Sequence, residues 1–328
     1  TLVHPVRFEA SDTRSIRDFC NNGFTCTASG TDASIACRTQ AQGSTKFRAT
    51  TGALARDLRR RTVRQVFDGK DPQMKRLLND GYDAVEERLD GYVKAHAAVV
   101  KLADNERVVV RTTLSDEPKV GIVFGGGSGH EPLFLGYVGE GVADAAVIGN
   151  VNTSPDPIAC YDAVTAVDQG RGCLFLYGNY QGDVLNFDMG AEMAAEDGIR
   201  VETVLITDDV YSAKDRADRR GVAGDVIVLM AACAVANTGA DLDTVKAAAE
   251  KANDNTYSMG VALSSSTLPV TGRPIFDIGA DDMEVGMGIH GEPGIERKKL
   301  EPADAVVDEI LGIVLPDMNL QAGEEVAV

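Results

Sequence analysis

The chain has 328 residues, 44% of them hydrophobic and 25% charged, with no Trp, a composition that excludes a disordered or collagen-like chain. Its formal net charge of −18 gives nucleic acid and anionic lipid no electrostatic reason to bind. No apolar run reaches the roughly 18 to 20 residues that cross a bilayer; the longest, Val226 to Ala236 (VIVLMAACAVA), reads as a buried helix or strand.

The charge divides unevenly. Residues 1–73 carry a net +5 and residues 74–328 a net −23. The first segment is rich in Thr, Ser and Arg, includes Arg59-Arg60-Arg61, and shows no apolar period; Met74 is the first Met of the chain. We expect residues 1–73 to be a basic leader outside the fold, carried by a start placed too early, with Met74 the true start. A genuine basic arm or a transit-type leader is the alternative. Six Cys, at 20, 26, 37, 160, 173 and 233, form no C-x-x-C pair and no zinc spacing; they read as reduced thiols of a cytoplasmic protein.

From Met74 the pattern changes. Leu77, Leu78, Tyr82, Val85, Leu89, Val93 and Val99 recur near a 3.6 spacing, which predicts a helix interrupted at Gly81 and Gly91. Strands are predicted at Val108–Arg111 and Val120–Phe124, then a glycine loop at Gly125–Gly129 and a buried strand at Ala145–Ile148. A helix at Pro157–Val167, a strand at Cys173–Tyr177, a helix at Leu185–Glu196 and a strand at Val201–Ile206 follow. Two helices are expected at Gly224–Gly239 and Asp241–Asn253, the second capped by Asp241. Alternation of this kind implies an α/β fold with a largely parallel sheet. Residues 74–257 read as the first α/β domain. Residues 258–328 read as the start of a second, with strands at Met259–Leu263 and Glu284–Ile289, a helix at Ala303–Val314, and a break inside a new strand (GEEVAV) at Val328.

Chemistry is confined to few residues. Of four His, His4 lies in the leader and His96 sits among alanines, a structural setting. The other two lie in GGGSGHEP (Gly125 to Pro132) and GIHGEP (Gly288 to Pro293). Glycine around them allows close approach of backbone or ligand, and His130 follows a predicted strand, where α/β sheets bind ligands. On residue type alone, ligand chemistry and turn chemistry stand even for both. GGGSGH is neither a P-loop, since no Lys follows, nor G-x-G-x-x-G. Asp183, in NYQGD after the strand CLFLY, can be a general base or a helix N-cap. The Asp208-Asp209 and Asp281-Asp282 pairs and Arg219-Arg220 default to solvated surface, with metal or phosphate binding as the lesser reading.

Five ordered motifs, GGGSGHEPLFLGYVGEG (125–141), TSPDP (153–157), NYQGDVLNFDMGAEMA (179–194), RRGVAG (219–224) and MEVGMGIHGEPGI (283–295), resemble the dihydroxyacetone-binding, DhaK-type subunits of dihydroxyacetone (glycerone) kinases. The resemblance spans nearly all of residues 74–328. It implies two α/β domains of the DhaK type, the second cut short here, and a cytoplasmic homodimer. It implies that His290 holds dihydroxyacetone as a covalent hemiaminal, that His130 and Asp183 act beside it, and that Gly127, Ser128 and Gly129 form the substrate loop. It places no cofactor on this chain. ADP or ATP with magnesium is expected on a DhaL-type partner, fed by a DhaM-type protein of the phosphoenolpyruvate phosphotransferase relay. The chemistry of the residues agrees: a neutral imidazole can add to a ketone, glycerol offers no carbonyl to attack, and an ionised Asp183 can take the proton of the hydroxyl being phosphorylated.

One departure stands out. The family usually carries Lys before the NY-x-GD motif, and this chain has Gly178; loss of a charge-assisted hydrogen bond of about 1.5–3 kcal/mol lowers affinity about ten- to a hundredfold unless another group substitutes. Two further readings therefore stand beside the kinase subunit. One is the first part of a single-chain ATP-dependent dihydroxyacetone kinase. The other is a non-catalytic dihydroxyacetone-binding regulator.

Overall fold

A computed structural model describes residues 24–28, 35–39, 44–46 and 77–327. Chain contacts divide it into two units, Thr1–Gln65 and Val66–Val328. His4, Cys20, the Arg59–Arg61 run and the start at Met74 lie outside the described residues. In the first unit three strands, β1 (Phe24–Ala28), β2 (Ile35–Thr39) and β3 (Ser44–Lys46), pair antiparallel in that order.

The second unit opens on helix α1, Ala84–Ala95, shorter than the period suggested. The reason is at Gly81, where a Cβ would stand 2.6 Å from the carbonyl carbon of Pro269, while Asp80 accepts from the Tyr82 amide (3.0 Å) in a turn. Strands β4 (Val100–Leu102) and β5 (Val108–Arg111) follow. Strand β6 runs Gly121–Ser128 and β7 Ala145–Val151. Helix α2 (Pro157–Val167) is capped by Asp156, which accepts from the Ala159 amide at 3.0 Å. Strand β8 (Cys173–Gly178), helix α3 (Gln181–Glu196) and strand β9 (Val201–Ile206) complete the alternation. Helices α4 (Gly224–Ala236) and α5 (Leu242–Asp254) come next, and Asp241 caps α5 through the Thr244 amide (2.9 Å) as expected.

The six strands form one sheet in the order β4-β5-β7-β6-β8-β9. The β7-β6-β8-β9 segment is parallel; β4 and β5 close one edge antiparallel. Strand residues alternate between two cores. Ile122, Phe124, Leu174, Leu176 and Ile206 face α1, α4 and α5, and Val123, Val147, Phe175 and Tyr177 face α2 and α3. Cover on both faces explains the near-continuous apolar runs, and each such side chain contributes about 1.5–3 kcal/mol on burial. Free Cys160, Cys173 and Cys233 are buried within these layers.

The glycine run is a correction. Gly125 to Ser128 extend β6 rather than forming a loop, with Gly125 paired to Val147 and Gly126 to Ile148. Small residues are needed because a Cβ on Gly125 would stand 2.9 Å from the Phe187 ring and one on Gly126 2.7 Å from the Phe134 ring.

The remainder builds a small antiparallel sheet, β10 (Val261–Ala262), β11 (Asp282–Val285) and β12 (Glu296–Lys299). Helix α6 (Ala303–Met318) shares a separate apolar cluster with it, centred on Met283, Val285 and Val314. Strand β12 (ERKK) escaped the sequence reading because it has no apolar residue; Glu284 of β11 pairs with its Arg297 (2.6 Å) instead. The expected strand at GEEVAV does not form, since residues 320–327 have no strand partner. Arg219 holds α6 through a two-bonded ion pair with Asp317 (2.7 and 2.8 Å).

Candidate functional site

The histidine of the first glycine motif stands where β6 ends. Gly129 turns the chain at φ +107°, a conformation open to glycine, and places His130 past the C-terminal end of a central parallel strand. His290 lies in the loop between β11 and β12, followed by Gly291 at φ +89°. The two imidazoles meet across 160 residues, Nε2 to Nε2, at 3.1 Å. Their ring centroids are 4.9 Å apart and the planes cross at 76°.

A hydrogen bond between two imidazole nitrogens needs one proton and one lone pair. Glu292 decides which ring supplies which. Its Oε1 lies 3.2 Å from Nδ1 of His290 and its Oε2 accepts from the His290 backbone amide (3.0 Å). Burial pushes the Glu292 carboxyl up, but the hydrogen bonds from the His290 ring and nearby amides outweigh it and hold the group at about 2. An ionised carboxylate only accepts, so Nδ1 of His290 carries the proton and its Nε2 keeps the lone pair. His130 is then the donor through Nε2–H. Burial, with His290 alongside, lowers His130 to about 4, so it is neutral at ordinary pH.

A chain of charge supports Glu292. Arg220 Nη1 lies 3.9 Å from its Oε2, and Arg220 is fixed by Asp209 at 2.8 Å. This corrects the surface reading of both dipeptides: Asp208, Asp209 and Arg219 are buried. Asp208 is consumed by the amides of Val222 (2.9 Å) and Gly224 (2.8 Å) at the entry to α4, which is why paired carboxylates tolerate burial there. Asp282, by contrast, pairs with Lys299 at 2.6 Å. Among the described residues, no group of three or more His, Cys, Asp or Glu gathers to hold a metal ion.

Asp183 is the third residue of α3; Tyr180 occupies the cap position and makes no side-chain cap bond. The capping alternative for Asp183 therefore falls. Its Oδ1 is buried with no hydrogen-bond partner. Burial raises the carboxyl to about 6, against a hydrogen bond from Ser154 and the nearby His290. Ser154 comes from the TSPDP segment, to which residue types alone assign no role.

The loop residues are placed as follows. Gly127 packs on the next loop, where a Cβ would come 2.8 Å from the Thr153 amide. Ser128 Oγ donates to the Gly149 carbonyl (2.7 Å) and accepts from Arg88 (2.9 Å), and the Gly129 amide reaches Glu131 at 3.3 Å. At Gly178 a Cβ would stand 3.0 Å from the Tyr180 ring and 3.1 Å from the Gly221 carbonyl, so Tyr180 occupies the space beside it. His96 is exposed, against Tyr92. The sequence reading missed Glu292 and Tyr180; the signal for the first was its place two residues after His290, and for the second its place in NYQGD.

Comparison with known proteins supplies a family. The Dak1 domain model matches residues 90–328. Over 256 residues, 78% of this chain and 77% of the other, it is 67% identical to the PTS-dependent dihydroxyacetone kinase 2, dihydroxyacetone-binding subunit DhaK of Listeria innocua. The crystal structure of the dihydroxyacetone kinase of C. freundii superposes with a TM-score of 0.66 at 37% identity, over 72% of this chain and 45% of that one. The dihydroxyacetone kinase operon co-activator Dha-DhaQ gives the same TM-score, 0.66, at 29% identity, over 71% of this chain and 72% of that one. No helix among the described residues is long and apolar enough to cross a membrane.

Proposed function

The chain belongs to the Dak1 family, and on that premise we propose that it is the dihydroxyacetone-binding subunit of a phosphotransferase-dependent dihydroxyacetone kinase, a cytoplasmic homodimer that holds its substrate covalently on His290. The observation that carries this reading is the His130–His290–Glu292 array, in which a lone pair on His290 Nε2 faces an N–H on His130 at 3.1 Å.

The chemistry follows from the proton positions. Nε2 of His290 attacks the ketone carbon; the C–N bond forms and the carbonyl π pair moves to oxygen. His130 gives its Nε2 proton to that oxygen, and Glu292 accepts the Nδ1 proton of the imidazolium. The product is a neutral hemiaminal that keeps the oxygen. Donors aimed at developing negative charge are worth about 10²–10³ in rate. A polyol has no carbonyl and forms no such bond, which separates ketone from glycerol by reactivity rather than size.

The tethered terminal hydroxyl then attacks phosphorus of the donor. Asp183, ionised above about 6, takes its proton as the new P–O bond forms and the donor's bond breaks. Fixing the acceptor in place removes the entropy of a second encounter, the main contribution a protein makes to phosphoryl transfer. The nucleotide and its magnesium belong to a DhaL-type partner in this reading, and a DhaM-type relay protein recharges it.

A second reading, a ligand-binding regulator on the same scaffold, is favoured by Gly178 and by the equal likeness to the operon co-activator. Carbon-13 NMR of the protein with ketone-labelled dihydroxyacetone tests binding, with turnover measured beside a DhaL-type subunit. A labelled carbon that moves from the carbonyl to the tetrahedral range, with phosphorylated product, is expected. The carbon shift without product favours the regulator; no shift at all contradicts covalent binding.

A further inference from the structure

Tyr180 has no part in the chemistry above, yet it touches every element that does. It is the residue that opens α3, three positions before Asp183. Its ring meets His290 edge to face, centroids 4.7 Å apart and planes at 83°. Its hydroxyl donates to the Gly221 carbonyl at 3.0 Å, in the RRGVAG segment that also carries Arg220. Its amide donates to the Gly178 carbonyl at 2.8 Å, at the end of β8.

These contacts account for the motion left open by the polar ones. Glu292 and His130 bind the two nitrogens of His290, which lie in the imidazole plane. Neither opposes a rocking of the ring out of that plane. An aromatic edge packed against the ring does, and such pairs are worth about 0.5–1.5 kcal/mol beyond their buried area. The tyrosine itself is held at both ends, by its hydroxyl and by the short path to α3. The same residue therefore fixes the His290 ring and the first turn that presents Asp183.

We propose that Tyr180 is a positioning residue that holds the His290 imidazole in register with the Asp183 carboxylate. Gly178 belongs to the device, because a side chain there would press on the Tyr180 ring (3.0 Å from Cβ to Cε2) and on the Gly221 carbonyl. The role in substrate capture rests on the covalent reading above; the ring contact does not.

The test uses the full chain with Tyr180→Leu and Tyr180→Phe, and reads two things. The first is the proton NMR shift of the His290 ring in the free protein, assigned with His290→Asn. The second is the rate of dihydroxyacetone adduct formation. In Tyr180→Leu the ring-current shift disappears and the adduct forms on the order of 10²-fold more slowly, the usual effect of a misplacement near 1 Å. In Tyr180→Phe the ring remains, the shift persists and the rate stays within several-fold of the parent. A leucine variant with parental shift and rate overturns the proposal. So does a phenylalanine variant that is folded but has lost the shift, which keeps the test decisive should the leucine variant not fold. If the parent chain forms no adduct, the covalent reading fails while the shifts still report the contact.

Discussion

Nε2 of His130 lies 3.1 Å from Nε2 of His290, and the hydrogen bond between them masks the lone pair that the proposed reaction uses. A ketone must break that bond to react, and in doing so it takes the freed His130 proton on its own oxygen. Donor and nucleophile are thus unmasked together by the one ligand able to employ both. Replacing His130 by Asn keeps a polar group but misplaces the donor. Adduct formation in His130→Asn, followed by stopped-flow mixing with dihydroxyacetone, is expected to slow by about 10²–10³-fold. An unchanged rate would remove His130 from the reaction.

Glu292 carries the tautomer. In Glu292→Gln the amide can turn its N–H toward Nδ1, so the His290 proton moves to Nε2 and the lone pair to the wrong nitrogen. The adduct rate is expected to fall by roughly 10²-fold or more, with nitrogen-15 NMR showing the tautomer reversed. A retained Nδ1–H tautomer with full reactivity would contradict the assignment.

Asp183 sets a pH dependence. Its folded carboxyl is raised to about 6, and the base form is the working one. The phosphorylation rate should therefore increase about tenfold per pH unit below 6 and level off above it. Asp183→Asn should abolish that limb and lower turnover by about 10²–10⁴-fold while leaving the adduct intact. The check is a rate profile from pH 5 to 8 with saturating partner and donor.

Asp144 tests the scaffold. It is buried, accepts from the Ile122 amide at 3.0 Å, and pairs with Lys119 (2.5 Å) and Arg111 (3.2 Å), both largely buried. Asp144→Ala strands two cations inside the protein, and urea unfolding should show a loss of about 3–5 kcal/mol. Asp144→Ala with Lys119→Met should recover part of it.

Much of this was legible in the sequence. Strands β5 and β9 and helix α2 run as the apolar pattern indicated, and the two glycine-flanked histidines are the two that meet. The misreadings have physical causes. The first glycines of GGGSGH looked like a loop because nothing local reveals that Phe134 and Phe187 need their missing side chains. Strand β12 carries only charged residues, paired across to β11. Asp208 and Asp209 looked like surface because their partners, the amides at the entry to α4 and Arg220, come from a segment eleven or more residues further on. The His130–His290 contact spans 160 residues, a distance over which no period or spacing carries information; only the resemblance linked the two.

The central claim is a covalent bond at one nitrogen, and native mass spectrometry addresses it directly. The chain is measured with dihydroxyacetone, with glycerol, and with dihydroxyacetone on the His290→Ala variant. The expected result is a gain of the ketone's full mass, without loss of water, seen only for the parent chain with the ketone. A folded parent chain with no adduct, or an adduct that survives in His290→Ala, would contradict the account.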